Sequence, residues 1–190
     1  LFAPLVGQSE SKVRAMIQTV EALAPCVLWI DEIDKAFGSN QNSGDSGTTN
    51  RVLATFITWL SEKTSPVFVV ATANNIEWIP PEVLRKGRFD EVFFLPLPAK
   101  EERYSIFKVQ LNKFRNNSNY ETSFQLELLA ELSSGFSGSE IEQIVIDAMR
   151  IGFNEKRGFT TEDIVTVIQS FIPLSKTKSK ELNILKEWAE

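Results

Sequence analysis

Histidine is absent from the 190 residues and cysteine occurs once, at Cys26. The first absence excludes Ser-His-Asp and Cys-His catalysis and histidine-ligated zinc within the chain. The second excludes an internal disulfide, and Cys26, beside an apolar run, reads as an inert packed thiol. No apolar run approaches the length that crosses a bilayer, and the first residues lack the charged, apolar and small-residue series of a secretory signal. The expectation is an intracellular, cytoplasmic chain without a membrane partner. No strong basic block occurs and the formal net charge is −5, which argues against nucleic acid as main ligand. The alternation Lys176, Lys178, Lys180 reads as a solvated segment. What remains for chemistry is carboxylate, hydroxyl, amide and arginine.

A hydrophobic content of 43% is enough to bury a real core. The run Val27-Leu28-Trp29-Ile30 ends abruptly in Asp31-Glu32, followed by Ile33-Asp34. Apolar runs of this kind mark strands buried on both faces, and open parallel sheets place their ligand sites at the carboxyl ends of strands. Upstream, Val13, Met16, Ile17 and Val20 recur at helical spacing within Ser9 to Ala24. Gly38 to Thr49 is too polar and aperiodic to pack and reads as a loop, after which Asn50 is placed to cap a helix burying Val52, Leu53, Phe56, Ile57 and Leu60. A second apolar run, Val67 to Ala71, ends in Thr72-Ala73-Asn74-Asn75. Two strands joined through a helix of that length make a parallel crossover, so Asn74 should lie near Asp31 and Glu32. Pro80 and Pro81 open a helical turn through Leu84, and Val92 to Leu95 reads as a third short strand.

Beyond Pro96 and Pro98 the pattern turns to helices only. Lys100 to Arg115 shows an apolar face of Ile106, Phe107, Leu111 and Phe114, and Asn116 to Tyr120 reads as a polar linker. Further helices are expected around Leu128, Leu129 and Leu132, around Ile141, Ile144, Val145 and Ala148, and around Ile164, Val167, Ile168 and Phe171. Ser139 with Glu142, and Thr160 with Asp163, are spaced for capping boxes. Leu182, Leu185 and Trp188 suggest a last short helix.

A carboxylate at a strand end beside a second one is what a nucleotide hydrolase uses to hold magnesium through water and to orient an attacking water. Taken alone, two adjacent acids can equally cap the next helix. Four ordered stretches change that weighing: Leu28 to Asp34, Ala71 to Asn75, Leu84-Arg85-Lys86-Gly87-Arg88-Phe89-Asp90, and Gly135-Phe136-Ser137-Gly138-Ser139-Glu140-Ile141. In order and spacing they resemble the second half of an AAA ATPase module, and Val6 to Glu10 with Val13-Arg14 extend the likeness upstream. Trp59 to Pro66 and Ala71 to Asn75 resemble most the poorly characterised AAA proteins of cyanobacteria and plastids.

The resemblance implies an α/β fold: the C-terminal part of a parallel-sheet P-loop NTPase domain over residues 1–98, a small all-α lid over 99–173, and a tail or short helix over 174–190. It implies ATP and Mg²⁺ as cofactors, with Asp31 as the Walker B aspartate on the metal's water shell and Glu32 as base or polariser of the attacking water. Asn74 becomes the sensor of that water or the γ-phosphate. Arg85 and Arg88 match the paired arginine fingers that reach a neighbouring subunit's site, which implies a homo-oligomeric ring, in this family usually a hexamer. Gly138 and Ser139 match the point where the helical domain touches nucleotide, with Ser139 in place of the usual Ala. The activity implied is ATP hydrolysis coupled to remodelling a protein partner of unknown identity. The alternatives are a non-catalytic oligomerisation or adaptor module and, from the DExD-like Asp31 to Asp34, a nucleic-acid motor.

Two departures qualify the likeness. The loop Gly-x-x-x-x-Gly-Lys-Ser/Thr, the family's Walker A phosphate cradle, does not occur in the chain. The chain begins at Leu1, so the expectation is a piece of a longer protein that does not hydrolyse ATP alone. At Leu5-Val6-Gly7, Leu5 stands where threading relatives carry a pore aromatic, with Phe2 a candidate substitute. That favours remodelling over processive threading.

Overall fold

In a computed structural model, residues 8–38, 46–114 and 123–189 are described. The pore-related Phe2, Leu5, Val6 and Gly7 lie outside them, as do most of the polar stretch after Gly38 and the linker from Asn116 to Tyr120. The chain divides into two compact units, Leu1–Phe93 and Phe94–Glu190.

In the first unit the order is helix α1 (Gln8–Ala22), strand β1 (Cys26–Ile30), short helix α2 (Asp34–Gly38), helix α3 (Ser46–Glu62) and strand β2 (Val67–Ala71). A 3₁₀ turn follows at Ile76–Trp78. The strands pair in parallel, Cys26 with Val67 through Ile30 with Ala71. α1 and α3 bury their apolar stripes together: Val13 from α1 meets Val52, Phe56, Ile57 and Leu60 from α3 in one core with Ile30, Ile33 and Val67. Trp59, 8% exposed, keeps its indole in that core because its Nε1 donates to Glu21 Oε1 at 3.0 Å. The same carboxylate oxygen accepts from Ser65 Oγ at 3.3 Å, where the chain turns into β2.

Three expectations for this unit are corrected. The strands are not buried on both faces: Val27, Trp29 and Phe68 are 65%, 62% and 68% exposed. Strand side chains alternate, and α1 and α3 occupy only the Ile30 and Val67 side. Val92 to Leu95 forms no strand, and Phe93 and Leu95 are exposed, because a strand exists only by pairing and none of the described residues lies beside it as a partner. Finally, α3 begins at Ser46 rather than beyond Asn50. The Pro80 turn is present, with Val83 N donating to Pro80 O and Leu84 N to Pro81 O at 2.9 and 3.2 Å.

The second unit is helical: α4 (Lys100–Phe114), α5 (Leu126–Leu132), α6 (Gly138–Asn154), α7 (Thr161–Ser170), α8 (Leu174–Thr177) and α9 (Ser179–Ala189). Phe107 and Leu111 of α4, Leu129 of α5, Ile141, Ile144 and Val145 of α6, and Ile164 of α7 are fully buried in one core. Burying each such side chain is worth about 1.5–3 kcal/mol. Arg103, 7% exposed, is an ion in this interior that meets backbone carbonyls rather than a carboxylate among the described residues. Its Nε and Nη2 donate to Ala130 O at 3.0 and 2.8 Å, and its Nη1 donates to Pro98 O at 2.8 Å. The guanidinium thus fastens the end of α5 to the chain that enters α4.

The capping box of α6 uses Ser137 and Glu140, not Ser139 and Glu142. Ser137 N donates to Glu140 Oε2 at 2.7 Å, and Glu140 Oε1 accepts from Leu174 N at 2.7 Å. One carboxylate therefore serves both the start of α6 and the start of α8. At α7, Thr160 N donates to Asp163 Oδ2 at 2.8 Å, as the sequence spacing implies. Arg157 grips the same carboxylate with two parallel bonds, Nη1 to Oδ2 at 2.6 Å and Nη2 to Oδ1 at 2.8 Å.

The Arg157 fork, with help from the Thr160 amide, holds the Asp163 carboxyl down to about 2 from an ordinary 3.8. A depressed native pKa contributes stability above the unfolded value and loses it as the pH falls. Between pH 3.8 and about 2 the protein should therefore lose this contribution, about 2 kcal/mol for a shift of this size. Acid unfolding followed by circular dichroism should show a loss in that window that Asp163→Asn abolishes, with lower stability at neutral pH.

Candidate functional site

Everything polar at the carboxyl end of the β1–β2 pair follows from its register. The ladder closes at Ile30 and Ala71, so Asp31 and Thr72 are the next residues outward on neighbouring strands. The backbone goes on bonding there: Thr72 N donates to Ile30 O at 2.9 Å and Ile33 N to Thr72 O at 2.8 Å. Between those two bonds Asp31 and Glu32 project from the sheet.

Asp31 is exposed, and its Oδ1 accepts from Thr72 Oγ1 at 2.5 Å. Glu32 has a backbone φ of 52°, a left-handed conformation that costs a residue with a Cβ about 1–3 kcal/mol and persists where surrounding contacts impose it. Those contacts are present. Glu32 N donates to Thr72 Oγ1 at 3.0 Å, and Asn74 Nδ2 donates to Glu32 Oε1 at 3.1 Å. Lys35 Nζ forms an ion pair with Glu32 Oε2. Both oxygens of Glu32 are thus held, and the Lys35 amine is pushed up from its ordinary range, first by the hydrogen bond to Glu32.

Beneath this layer Asp34 is 2% exposed. Its Oδ1 accepts from Asn74 N at 3.2 Å and its Oδ2 from Asn75 N at 3.1 Å. A buried carboxylate bonded to two amides anchors the turn that carries Asn74. Asn75 extends the turn by accepting from Glu77 N at 3.0 Å, which starts the 3₁₀ segment.

The structure therefore brings Asp31, Glu32 and Asn74 together, as the parallel crossover requires. It does not bring in Arg85 or Arg88. Arg88 donates from Nη1 to Glu82 O, within its own loop. Arg85 is exposed, and neither arginine makes an ion pair with Asp31 or Glu32. The positive φ of 89° at Gly87, between them, is the conformation that favours glycine. Gly138 and Ser139, in the second unit, are the first residues of α6. Ser139 Oγ lies 3.2 Å from Ser137 Oγ, and Ile106 is the neighbour a Cβ on Gly138 would meet, at 3.7 Å.

Three residues of this end were not singled out from the sequence: Thr72, Asp34 and Lys35. A threonine at a strand end reads as ordinary strand chemistry. The Asp34 and Lys35 spacings to Asn74 and Glu32 acquire meaning only with the register. Among the described residues no cluster of three or more Asp, Glu or Cys is arranged to hold a metal directly. Asp31 does suit a hydrated Mg²⁺, which takes one or two carboxylates and keeps several waters. Among the described residues no hydrogen bond reaches its Oδ2.

The sequence model of the "ATPase family associated with various cellular activities (AAA)" matches residues 1–97. The chain belongs to the AAA family. Its two units are the C-terminal portion of the family's α/β domain and an all-α lid. It is 55% identical over 189 residues to the "Uncharacterized AAA domain-containing protein ycf46" of Trieres chinensis, covering 100% of this chain and 38% of that protein. The protein of the same name from Guillardia theta is 56% identical over 189 residues, with 100% and 37% covered. The "Cell division cycle protein 48 homolog" of Archaeoglobus fulgidus is 33% identical over 194 residues, with 100% and 24% covered. The chain thus spans well under half the length of these relatives. Among the described residues no helix is long and apolar enough to cross a membrane.

Asp34→Ala should strip two buried amides of their acceptor and lower stability by about 2–3 kcal/mol. Residue-resolved hydrogen exchange should then be faster at Asn74 and Asn75, while Ile33 N, bonded to Thr72 O, stays protected. Stability equal to that of the native protein would show that the carboxylate does not anchor this turn.

Proposed function

We propose that the longer protein to which this chain corresponds is a Mg²⁺-dependent ATP hydrolase whose ring of identical copies, a hexamer, remodels a protein partner. The observation that carries this reading is the meeting of Asp31, Glu32 and Asn74 at one strand end, in a chain of the AAA family.

Asp31 would hold Mg²⁺ through water with its free oxygen. The bound metal supplies charge neutralisation on the phosphates. Glu32 orients the attacking water and takes its proton. For that it must release Lys35, which in this structure occupies one of its oxygens. Asn74 then orients the same water through the amide that now meets Glu32 Oε1. Arg85, exposed and without a partner among the described residues, and Arg88 three residues on, are proposed to stabilise phosphoryl charge in the adjacent copy. Among the described residues neither arginine forms an ion pair with a carboxylate, which fits action in trans. Gly138 and Ser139 are proposed to contact nucleotide from the lid.

The Gly-x-x-x-x-Gly-Lys-Ser/Thr loop does not occur in the 190 residues, so turnover is proposed for the longer protein and not for this chain alone. Remodelling of the partner, in the cytoplasm or a plastid stroma, goes with the absence of a basic block that would track nucleic acid.

The test is Glu32→Gln in the full-length protein. Turnover should fall by about 100-fold or more, as loss of a general base does, while Mg²⁺-dependent ATP binding measured by calorimetry persists. Unchanged turnover would remove Glu32 from the chemistry. Absence of ATP binding in the native protein would favour an adaptor that keeps the fold without the activity.

A further inference from the structure

Every polar atom of Thr72 is bonded to the four consecutive residues that make the carboxyl end of β1. Its N–H donates to Ile30 O at 2.9 Å and its C=O accepts from Ile33 N at 2.8 Å. Its hydroxyl lies between, donating to Asp31 Oδ1 at 2.5 Å and accepting from Glu32 N at 3.0 Å. We propose that the Thr72 hydroxyl is a positioning group that sets the direction of both the metal-side carboxylate of Asp31 and the water-side carboxylate of Glu32. This inference rests on the roles given to those two acids above.

The hydroxyl has a part of its own, apart from the rest of the residue. The two backbone bonds belong to the strand pairing and survive any side chain that tolerates a strand. Only the hydroxyl is specific, and it is used in both senses at once. Because its proton goes to Asp31, its lone pair is the one presented to the Glu32 amide. Asp31 is exposed, so water could satisfy its carboxylate as well as Thr72 does. The bond therefore adds little to stability and acts instead by fixing which oxygen points inward to the protein and which is left for a ligand. Glu32 is in the left-handed conformation, with φ 52°. The amide that Thr72 captures is the one whose direction that conformation sets. An aliphatic side chain at this position could neither donate to Asp31 nor accept from Glu32 N.

Three variants of the full-length protein decide the matter: Thr72→Val, nearly isosteric without the hydroxyl, Thr72→Ser, which keeps it, and Glu32→Gln as reference. Thr72→Val should lower kcat about tenfold, the effect of losing one such hydrogen bond. KM for ATP should stay within about threefold, with more Mg²⁺ needed for half-maximal rate and thermal stability little changed. Thr72→Ser should restore kcat to within about threefold. In residue-resolved hydrogen exchange, which needs neither turnover nor nucleotide, the Glu32 amide should exchange at least about tenfold faster in Thr72→Val and at the native rate in Thr72→Ser. Native turnover in Thr72→Val, equal impairment of Thr72→Ser and Thr72→Val, or an unchanged Glu32 exchange rate would each overturn the proposal. Unchanged turnover in Glu32→Gln is a different failure, that of the catalytic reading itself. The exchange rates at Glu32 tell the two apart.

Discussion

The parallel pairing of Cys26–Ile30 with Val67–Ala71 is the constraint on which the rest of the site depends. A parallel pair joined by a crossover helix must present the carboxyl ends of both strands on the same side. With Ile30 opposite Ala71, the next residues out are Asp31 and Thr72, and two residues further lies Asn74. A shift of one residue would point every side chain to the opposite face. It would also put Ala73 where the Thr72 hydroxyl now bridges Asp31 and Glu32. α1 and α3 hold the register from one side, through Val13, Val52, Phe56 and Leu60 packed beneath Ile30 and Val67.

Above that foundation the polar residues are layered by exposure. Asp34 is buried and fixes backbone, the amides of Asn74 and Asn75. Thr72, half-buried, holds Asp31 and the Glu32 amide, and Asn74, itself exposed, holds the Glu32 carboxylate. Lys35 is outermost, a solvent-facing partner on Glu32. Exposed ion pairs of this kind contribute little to stability, so Lys35 can be displaced at small cost when a ligand arrives. The buried, backbone-fixing Asp34 below and the exposed, exchangeable Lys35 above fit the proposed site.

The parts legible in the sequence are those carried by period and by order. The apolar runs mark both strands, and the crossover rule alone places Asn74 beside Glu32. The helical faces of α3, α4, α6 and α7 follow from their spacing. The parts that were not legible have specific causes. Val27-Leu28-Trp29-Ile30 has the same composition whether one face is covered or two, so the exposure of Val27 and Trp29 could not be read from it. Val92 to Leu95 has strand-forming residues, but a strand needs a partner and local sequence does not provide one. At the start of α6 the frames Ser137-x-x-Glu140 and Ser139-x-x-Glu142 both satisfy the capping pattern. The extended backbone of Ser137, with φ −80° and ψ 165°, selects the first. Thr72, Asp34 and Lys35 are not legible locally because each acquires a role only from a neighbour some three or some forty positions away.

If one strand end gathers the hydrolytic half of an ATP site, as proposed, nucleotide must bind there in the full-length protein. The most direct measurement is a crystal structure of the full-length protein with Mg²⁺ and a non-hydrolysable ATP analogue. Expected are a metal reached through water from Asp31, the γ-phosphate facing Glu32 and Asn74, and Lys35 displaced from Glu32. Nucleotide bound elsewhere, with the Lys35 to Glu32 pair intact and no metal near Asp31, would contradict it.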